Sequence, residues 1–545
     1  MILLFNIASS DQAAQWLRRW FLILLLVHLV TSIFSHGVFH CDEHFQIIEF
    51  VGFKLGWVSP EALPWEYTAQ IRPWLQPFLY FIPTKALAEL GFRDPFILEG
   101  LMRILSGLLG WGSLTLLARS LYRYLNRTSE AFWITLLFSS FFFLPQFHVR
   151  TSSESMSSAF LMLSFALALK LVDSSPGNFI LKNRNLVWSN PPFLFALFGS
   201  LLGIAFAARY QVAFAGLGLA LLVFVKTPHK IDCAFFGTLG GVLTLALAAV
   251  IDFWGYGNWV FPPYRYLSVN LLEGKAAEFG VSPWWAYFVS LRKNFLNPYG
   301  TLIVTGIILS AWIPLQHFWI LRKQRTEFTP IRQLGLALAS VILPFVIIHM
   351  AIGHKENRFL YPIVWCSWLL FLLQLGIPFY RFIAFRNLQS HVLRPLFTIH
   401  VILTLILVMR NAFTELESRT SILKEIKTQS KHTERITLRI LDGVNPYALG
   451  CGSSNLCNSN LVAEFIQPKN LLLDCRNESQ SPLAGSLALQ TYTRSPELIP
   501  APPPGCRSLI STQATWMVHI AEHIPVNMRD LVFKNHRFHV LWDCR

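Results

Sequence analysis

Long apolar stretches separated by short polar links fill the first three quarters of the chain and stop near residue 411. A membrane-crossing helix needs about 20 apolar residues, within a range of roughly 17–25. On that length the pattern predicts spans near 16–38, 97–118, 130–147, 155–173, 192–207, 209–226, 232–252, 299–320, 334–352, 360–379 and 392–411, about eleven in all. Residues 76–91 are apolar too, but Pro83, Lys85 and Glu89 interrupt them, and the stretch is expected to lie along the interface rather than cross the bilayer. No small-x-small cleavage site follows 20–34, so the first apolar run is expected to stay as an anchor. Beyond 411 the pattern changes. ESRTSILKEIKTQSKHTERI is charged with helical spacing, and a Cys- and Pro-containing region with APPPG at 501–505 follows it. The chain is therefore expected to divide into an all-α polytopic membrane domain, 1–411, and a separate small domain, 412–545, within the usual size range of independent domains.

Composition supports the membrane reading, since 53% of the 545 residues are hydrophobic and 14% are Asp, Glu, Lys or Arg, against about 25% in soluble domains. The net charge of +15 sits mostly in short links such as RKQR at 322–325 rather than in one stripe, which excludes nucleic acid as the partner and leaves the membrane. Lys and Arg in short loops also set orientation. Arg18 and Arg19 put the N-terminus in the cytoplasm, and Arg119, Arg123 and Arg127, Lys182 and Arg184, Lys226 and Lys230, Arg322, Lys323 and Arg325, and Arg381 and Arg386 then fall on the same side. Every polar cluster lands on the outer side, and so does the tail. Five of the eight cysteines, Cys451, Cys457, Cys475, Cys506 and Cys544, crowd into that tail, which favours an oxidising compartment.

Five clusters stand out on that side. FHCDEHFQIIEF, 39–50, places Asp42 and Glu43 between His40 and His44. Consecutive side chains do not share a helix face, so the two carboxylates point apart and suit different roles, one a base and the other a ligand or anchor. Both can also be plain solvated acids at a helix exit. His40, Asp42 and His44 offer ligand atoms, but no partner cluster accompanies them, and no metal is expected. WEYTAQIRPW sets Glu66 and Arg72 among Trp65, Tyr67 and Trp74, as an interface segment or a carbohydrate platform does. HVRTSSES contributes Arg150, Ser153 and Glu154 at a span boundary, and Arg209 stands at another break. DFWGYGNWVFPPYRYLSVNLLEG, 252–274, is too aromatic for a plain loop. GHKENRFLYP, 353–362, brings His354, Lys355 and Arg358 next to the bilayer, where basic groups bind lipid phosphate. Taken singly each cluster suits an interface; together, carboxylates, cations and aromatics on one face suit sugar transfer from a lipid phosphate.

Asp42-Glu43 with Phe45-Gln46, WEY…IRPWLQP, RTSSES, DFWGYGNWVFPPYRYLSVN and GHKENRFLYP resemble, in this order, the motifs of glycosyltransferase family 22, the polyprenol-phosphate-mannose-dependent mannosyltransferases of GPI-anchor and N-glycan assembly. The resemblance covers about residues 15–411, with Cys41 standing where the family usually has Pro. It implies a GT-C glycosyltransferase fold, an outer loop (39–96) carrying the catalytic carboxylates, and inverting transfer of mannose from a polyprenyl-phosphate-linked donor to a lipid-linked glycan acceptor. Asp42 is then the expected base, and Glu43 beside it, like Glu66, is expected to hold acceptor hydroxyls. His354, Lys355 and Arg358, supported by Arg150 and Arg209, are the expected phosphate-binding groups, and Glu66, Arg72 and Trp65 the acceptor-binding ones. No cofactor is expected, since side chains can neutralise the phosphate and no Gly-rich phosphate loop is present. A short first loop and compact tail favour a bacterial inner membrane over the endoplasmic reticulum. Two rivals stay open: a GT-C transferase of another sugar, and a lipid or solute transporter, although the sequence has no internal repeat of the kind transporters show.

Overall fold

The computed structural model describes residues 10–172, 190–295, 298–322, 329–386, 389–413, 420–431, 433–440, 447, 449, 462–474, 486–493, 505–511 and 537–544. They form two compact units, one of Met1–Ile33, Ala69–Leu79 and Met102–Arg410, the other of Phe34–Thr68, Tyr80–Leu101 and Asn411–Arg545. Among the described residues nine helices are long and apolar enough to cross a membrane: Asp11–Phe34, Pro95–Tyr124, Ser153–Val172, Pro191–Ala208, Lys230–Tyr256, Tyr299–Trp319, Pro330–Ala351, Asn357–Phe385 and His391–Arg410. The chain is an integral membrane protein.

The other two expected spans take different forms. Residues 130–147 break into Ser129–Ser139 and Phe143–His148. The Ser139 hydroxyl donates to Thr135 O at 2.7 Å and the Ser140 hydroxyl to Leu137 O at 3.2 Å, bonds that compete with the helix ladder. Nearly all of this segment is buried in protein, where irregular backbone is shielded from lipid. The second, Tyr210–Lys226, is a shorter apolar helix. It starts at a break where Arg209 is extended (φ −152°, ψ 111°) between Pro191–Ala208 and Ala213–Lys226.

Within the first unit, side-chain bonds tie the basic links together at one end. Arg381 forks onto Glu130 at 2.8 and 2.9 Å, Ser129 bonds Tyr380 at 2.9 Å, and Tyr124 donates to Gln333 at 2.8 Å. Residues 153–154, 209 and 358 gather in a separate cluster, and Ser282 N–H donates to Gly353 O at 2.9 Å. Close helix packing in this unit relies on small residues. A Cβ on Gly240 of Lys230–Tyr256 would stand 2.0 Å from Ala196 O of Pro191–Ala208, the backbone approach that small residues permit between membrane helices.

The second unit adds what hydropathy does not reveal, a five-stranded sheet. Its strands are β1 (Ile436–Ile440), β2 (Leu471–Asp474), β3 (Leu487–Thr493), β4 (Arg507–Ser511) and β5 (Arg537–Asp543), in the order β2-β1-β3-β5-β4. β1 is parallel to β2 and β3, whereas β5 is antiparallel to β3 and β4. Leu438, Ile440, Leu487, Leu489, Val540, Leu541 and Trp542 are buried. The helix Thr420–Ser430 buries Ile422, Leu423 and Ile426. Cys506 and Cys544 form a disulfide and Cys41 is also disulfide-bonded, while Cys233 and Cys366 of the first unit are free and buried. Cys451, Cys457 and Cys475 lie outside the described residues.

The glycine contacts make a paired prediction. Gly240→Ala pushes a methyl into a backbone carbonyl and should destabilise by about 1–3 kcal/mol. At Gly237, where the nearest atom to a Cβ is 3.8 Å away, Ala should be neutral or stabilising by roughly 0.5–1 kcal/mol through helix propensity. Thermal unfolding of both variants in detergent checks the ordering.

Candidate active site

In the first unit the cations converge on one carboxylate. Glu154, at the first turn of Ser153–Val172, is 2% exposed. Its Oε1 lies 3.0 Å from Arg209 Nη1 and 3.6 Å from Arg358 Nη1. Arg209 reaches it because the break at 209 turns the side chain off the helix, and Arg358 because it sits in the short turn Asn357–Leu360 ahead of the next span. The Ser153 hydroxyl accepts from Arg209 Nη1 at 3.0 Å and donates to Glu154 Oε2 at 3.3 Å. Arg358 Nε also bonds Glu356, whose other oxygen meets His354 Nε2 at 3.0 Å. The two guanidinium groups share the ring of Phe359, at 5.2 Å from Arg209 and 5.4 Å from Arg358, a cation–π contact for each.

Lys355 turns elsewhere. Its ammonium donates to the carbonyls of Met350 and Ile352 and lies 5.7 Å from the Tyr287 ring. It thereby caps the C-terminal end of Pro330–Ala351, and burial lowers its pKa. Arg150 is buried and its Nε donates to Gln146 O at 3.3 Å. The Arg72 main chain brackets the Tyr256 hydroxyl, which donates to its carbonyl at 2.7 Å and accepts from its N–H at 3.2 Å, and its guanidinium lies 6.0 Å from the Tyr266 ring.

In the second unit, Asp42 and Glu43 sit in the turn that leads into the helix His44–Ile48, where Cys41 O accepts from the N–H groups of His44 and Phe45 at 2.9 and 3.0 Å. Their side chains diverge. Glu43 is buried and its Oε1 accepts the Phe39 N–H at 3.1 Å, whereas the Asp42 side chain is 20% exposed. His40 Nδ1 accepts the Asp42 N–H at 3.2 Å and lies 3.5 Å from the Asp42 carboxylate. His44 is the structural centre of the loop. Its Nε2 donates to Glu49 Oε1 at 2.7 Å and its Nδ1 faces Glu99 Oε1 at 3.3 Å, and Glu49 also accepts the Phe465 N–H at 3.1 Å. Burial pulls the His44 pKa down, but the two carboxylates outweigh it and raise it to about 9. Burial in turn pushes Glu49 up. Glu66 is buried and accepts from Gln46 at 3.0 Å, while its neighbour Trp65 is exposed.

The ligand atoms of His40, Cys41 and Asp42 lie within 4.8 Å of one another. Cys41 is disulfide-bonded, so its sulfur lacks the thiolate charge that binds metals, and one imidazole with one carboxylate does not make a metal site.

A sequence model of the Alg9-like mannosyltransferase family matches residues 19–441. The chain belongs to that family. Among relatives of this Alg9-like chain, mannosyltransferase APTG1 of Arabidopsis thaliana is 25% identical over 64% of the chain, and GPI alpha-1,2-mannosyltransferase 3 of Xenopus laevis is 24% identical over 62%. The chain spans 56% and 58% of the length of these two relatives. A similar solved structure, ArnT from Cupriavidus metallidurans bound to undecaprenyl phosphate, is 15% identical, covers 97% of this chain and 98% of its own, and has a TM-score of 0.47.

The structure brings Arg209, Arg358 and His354 into one network, and sets Arg150, Lys355 and Arg72 on local backbone partners. Two residues stand out that the sequence reading did not assign. Glu154 joins two arginines from distant parts of the chain, and its only sequence signal is a lone acid among small polar residues at the start of an apolar run. His44, read as a possible ligand, is instead a strut between two acids.

His44 makes a pH prediction. Its folded pKa lies above the ordinary 6.5, so the stability it lends is fully present below about 6.5 and is lost as pH rises through about 9. Thermal melting followed from pH 6.5 to 10 should fall across that window in the parent, and the step should be missing in His44→Gln.

Proposed function

We propose that the chain transfers mannose from a polyprenyl-phosphate-mannose donor to a lipid-linked glycan, with inversion, forming an α-mannosidic bond. The observation that carries this reading is a pair of guanidinium groups, Arg209 buried and Arg358 largely enclosed, meeting at one buried carboxylate in a membrane chain of a mannosyltransferase family. Asp42 takes the proton of the acceptor hydroxyl, whose oxygen attacks the anomeric carbon. The bond from that carbon to the phosphate oxygen breaks, and its electron pair stays on the phosphate. Inversion to an α product requires a β-linked donor. The phosphate gains negative charge as the bond breaks, and Arg209 and Arg358 stabilise that gain, with His354, Lys355 and Arg150 adding to the local field. Glu43 supports the turn from inside, which leaves the more exposed Asp42 as the base. Trp65, Glu66 and Arg72 are read as acceptor contacts, through ring stacking and hydroxyl hydrogen bonds.

The reacting face is read as the outer one, and the Cys506–Cys544 disulfide supports an oxidising compartment for the second unit. The plant and frog relatives favour the endoplasmic reticulum lumen, and nothing among them favours the bacterial inner membrane that the short first loop suggests.

The test is mannose transfer by the purified protein in lipid nanodiscs, from polyprenyl-phosphate-mannose to a panel of mannosylated lipids. Asp42→Asn keeps the shape and removes the proton acceptor, and should cut turnover by about 10²–10⁴-fold; activity within tenfold of the parent overturns the assignment. Arg358→Lys keeps the charge but loses the planar fork. It should lower turnover roughly tenfold to a hundredfold at saturating donor, and full activity with Lys would make Arg358 an anchor for its helix.

A further inference from the structure

Resting on the reading just given, we infer that Glu154 is a positioning residue: it holds Arg209 and Arg358 together as one phosphate-binding pair and sets the spacing between them. Three separate elements meet here, the first turn of Ser153–Val172, the break at 209 and the turn Asn357–Leu360. A single oxygen, Glu154 Oε1, faces both guanidinium groups at 3.0 and 3.6 Å. The second oxygen is steadied by the Ser153 hydroxyl, which itself accepts from Arg209. Phe359 packs beside both guanidinium groups and fixes their planes. Two cations sharing one ring repel each other, and with Arg209 and Glu154 buried and Arg358 largely enclosed that repulsion is only partly screened. The carboxylate between them is what allows the pair to exist.

The charge count gives Glu154 a kinetic signature. Arg209 and Arg358 are matched by Glu154 and Glu356, so the cluster is close to neutral before a phosphate arrives. Glu154→Gln leaves one uncompensated positive charge. A donor phosphate is still attracted, and the donor KM should stay level or fall. The guanidinium groups spread apart and no longer meet the charge that develops on the leaving phosphate, so kcat should fall about tenfold to a hundredfold. A residue that merely helps the bundle fold would change the amount of folded protein and leave both constants of the folded fraction alone.

The experiment is a double-mutant cycle on the full chain in nanodiscs with Glu154→Gln, Arg209→Gln and the double variant, reading kcat and donor KM beside thermal melting. If Glu154 acts through Arg209, the double variant should lose no more than about threefold beyond Arg209→Gln alone. Losses that multiply, or a Glu154→Gln enzyme with parental kcat, overturn the inference. Should Glu154→Gln alone fail to fold, the double variant decides, because removing the cation with its anion restores the balance. It must then fold and match Arg209→Gln, and a misfolded double variant overturns the inference. A parent that transfers no mannose overturns the proposed function instead. In that case the same cycle is read on the binding of undecaprenyl phosphate, where additive losses refute the pairing and coupled losses support it.

Discussion

A charge removed from water must find an opposite charge, and in this protein that constraint shapes both places where chemistry gathers. Arg209, Arg358 and Glu154 are each mostly or wholly enclosed. Leaving any one of them unpaired would cost several kcal/mol in a low-dielectric interior. The pairing therefore dictates local backbone. Helix Pro191–Ala208 ends so that Arg209 can turn towards Glu154, and the chain between Pro330–Ala351 and the next span folds into a short turn that aims Arg358 at the same oxygen. Lys355, one turn away, is satisfied by the carbonyls that end Pro330–Ala351. The same group of residues is thus a folding solution and, under the proposed function, leaves a phosphate two guanidinium groups already ordered.

The second unit obeys the constraint with the opposite sign. Two buried acids, Glu49 and Glu99, are held by one histidine, and Glu49 also takes a backbone N–H from Phe465. An imidazole donating from both nitrogens carries a positive charge, which is why its pKa rises despite complete burial. The consequence for function lies two residues upstream. The turn that opens at Cys41 is pinned on its inner side by His44 and by Glu43, which leaves Asp42 the more exposed of the two adjacent carboxylates.

Some of the local geometry was legible from residue order. Adjacent carboxylates cannot share a helix face, and Asp42 and Glu43 do diverge, one buried and one partly exposed. The charge pattern grouped the basic links, and Arg381 with Glu130 and Tyr124 with Gln333 bond across them. Glu154 was not legible, because a lone acid beside Ser153 is an ordinary helix start until residues 55 and 204 positions further on supply its partners. The role of His44, given no assignment from the sequence, was not legible for a related reason. Imidazole is a metal ligand or a proton carrier according to its neighbours, and Glu99 stands far beyond any local window.

By itself the sequence determined whatever depends on local composition: a chain that crosses a membrane many times, since long apolar runs have no other stable environment, and the family to which its motifs belong. It marked the polar tail as different in kind, but the compact unit that holds the tail also takes in Phe34–Thr68 and Tyr80–Leu101. Tertiary structure alone decided which charges pair, how the tail folds into a mixed sheet, and that the run 130–147 breaks in two. Those outcomes turn on bonds between residues far apart in the chain, as when Arg358 reaches Glu154 or β5 fits between β3 and β4. A charged side chain's role is set by what shares its low-dielectric surroundings, and only the folded chain brings those neighbours together.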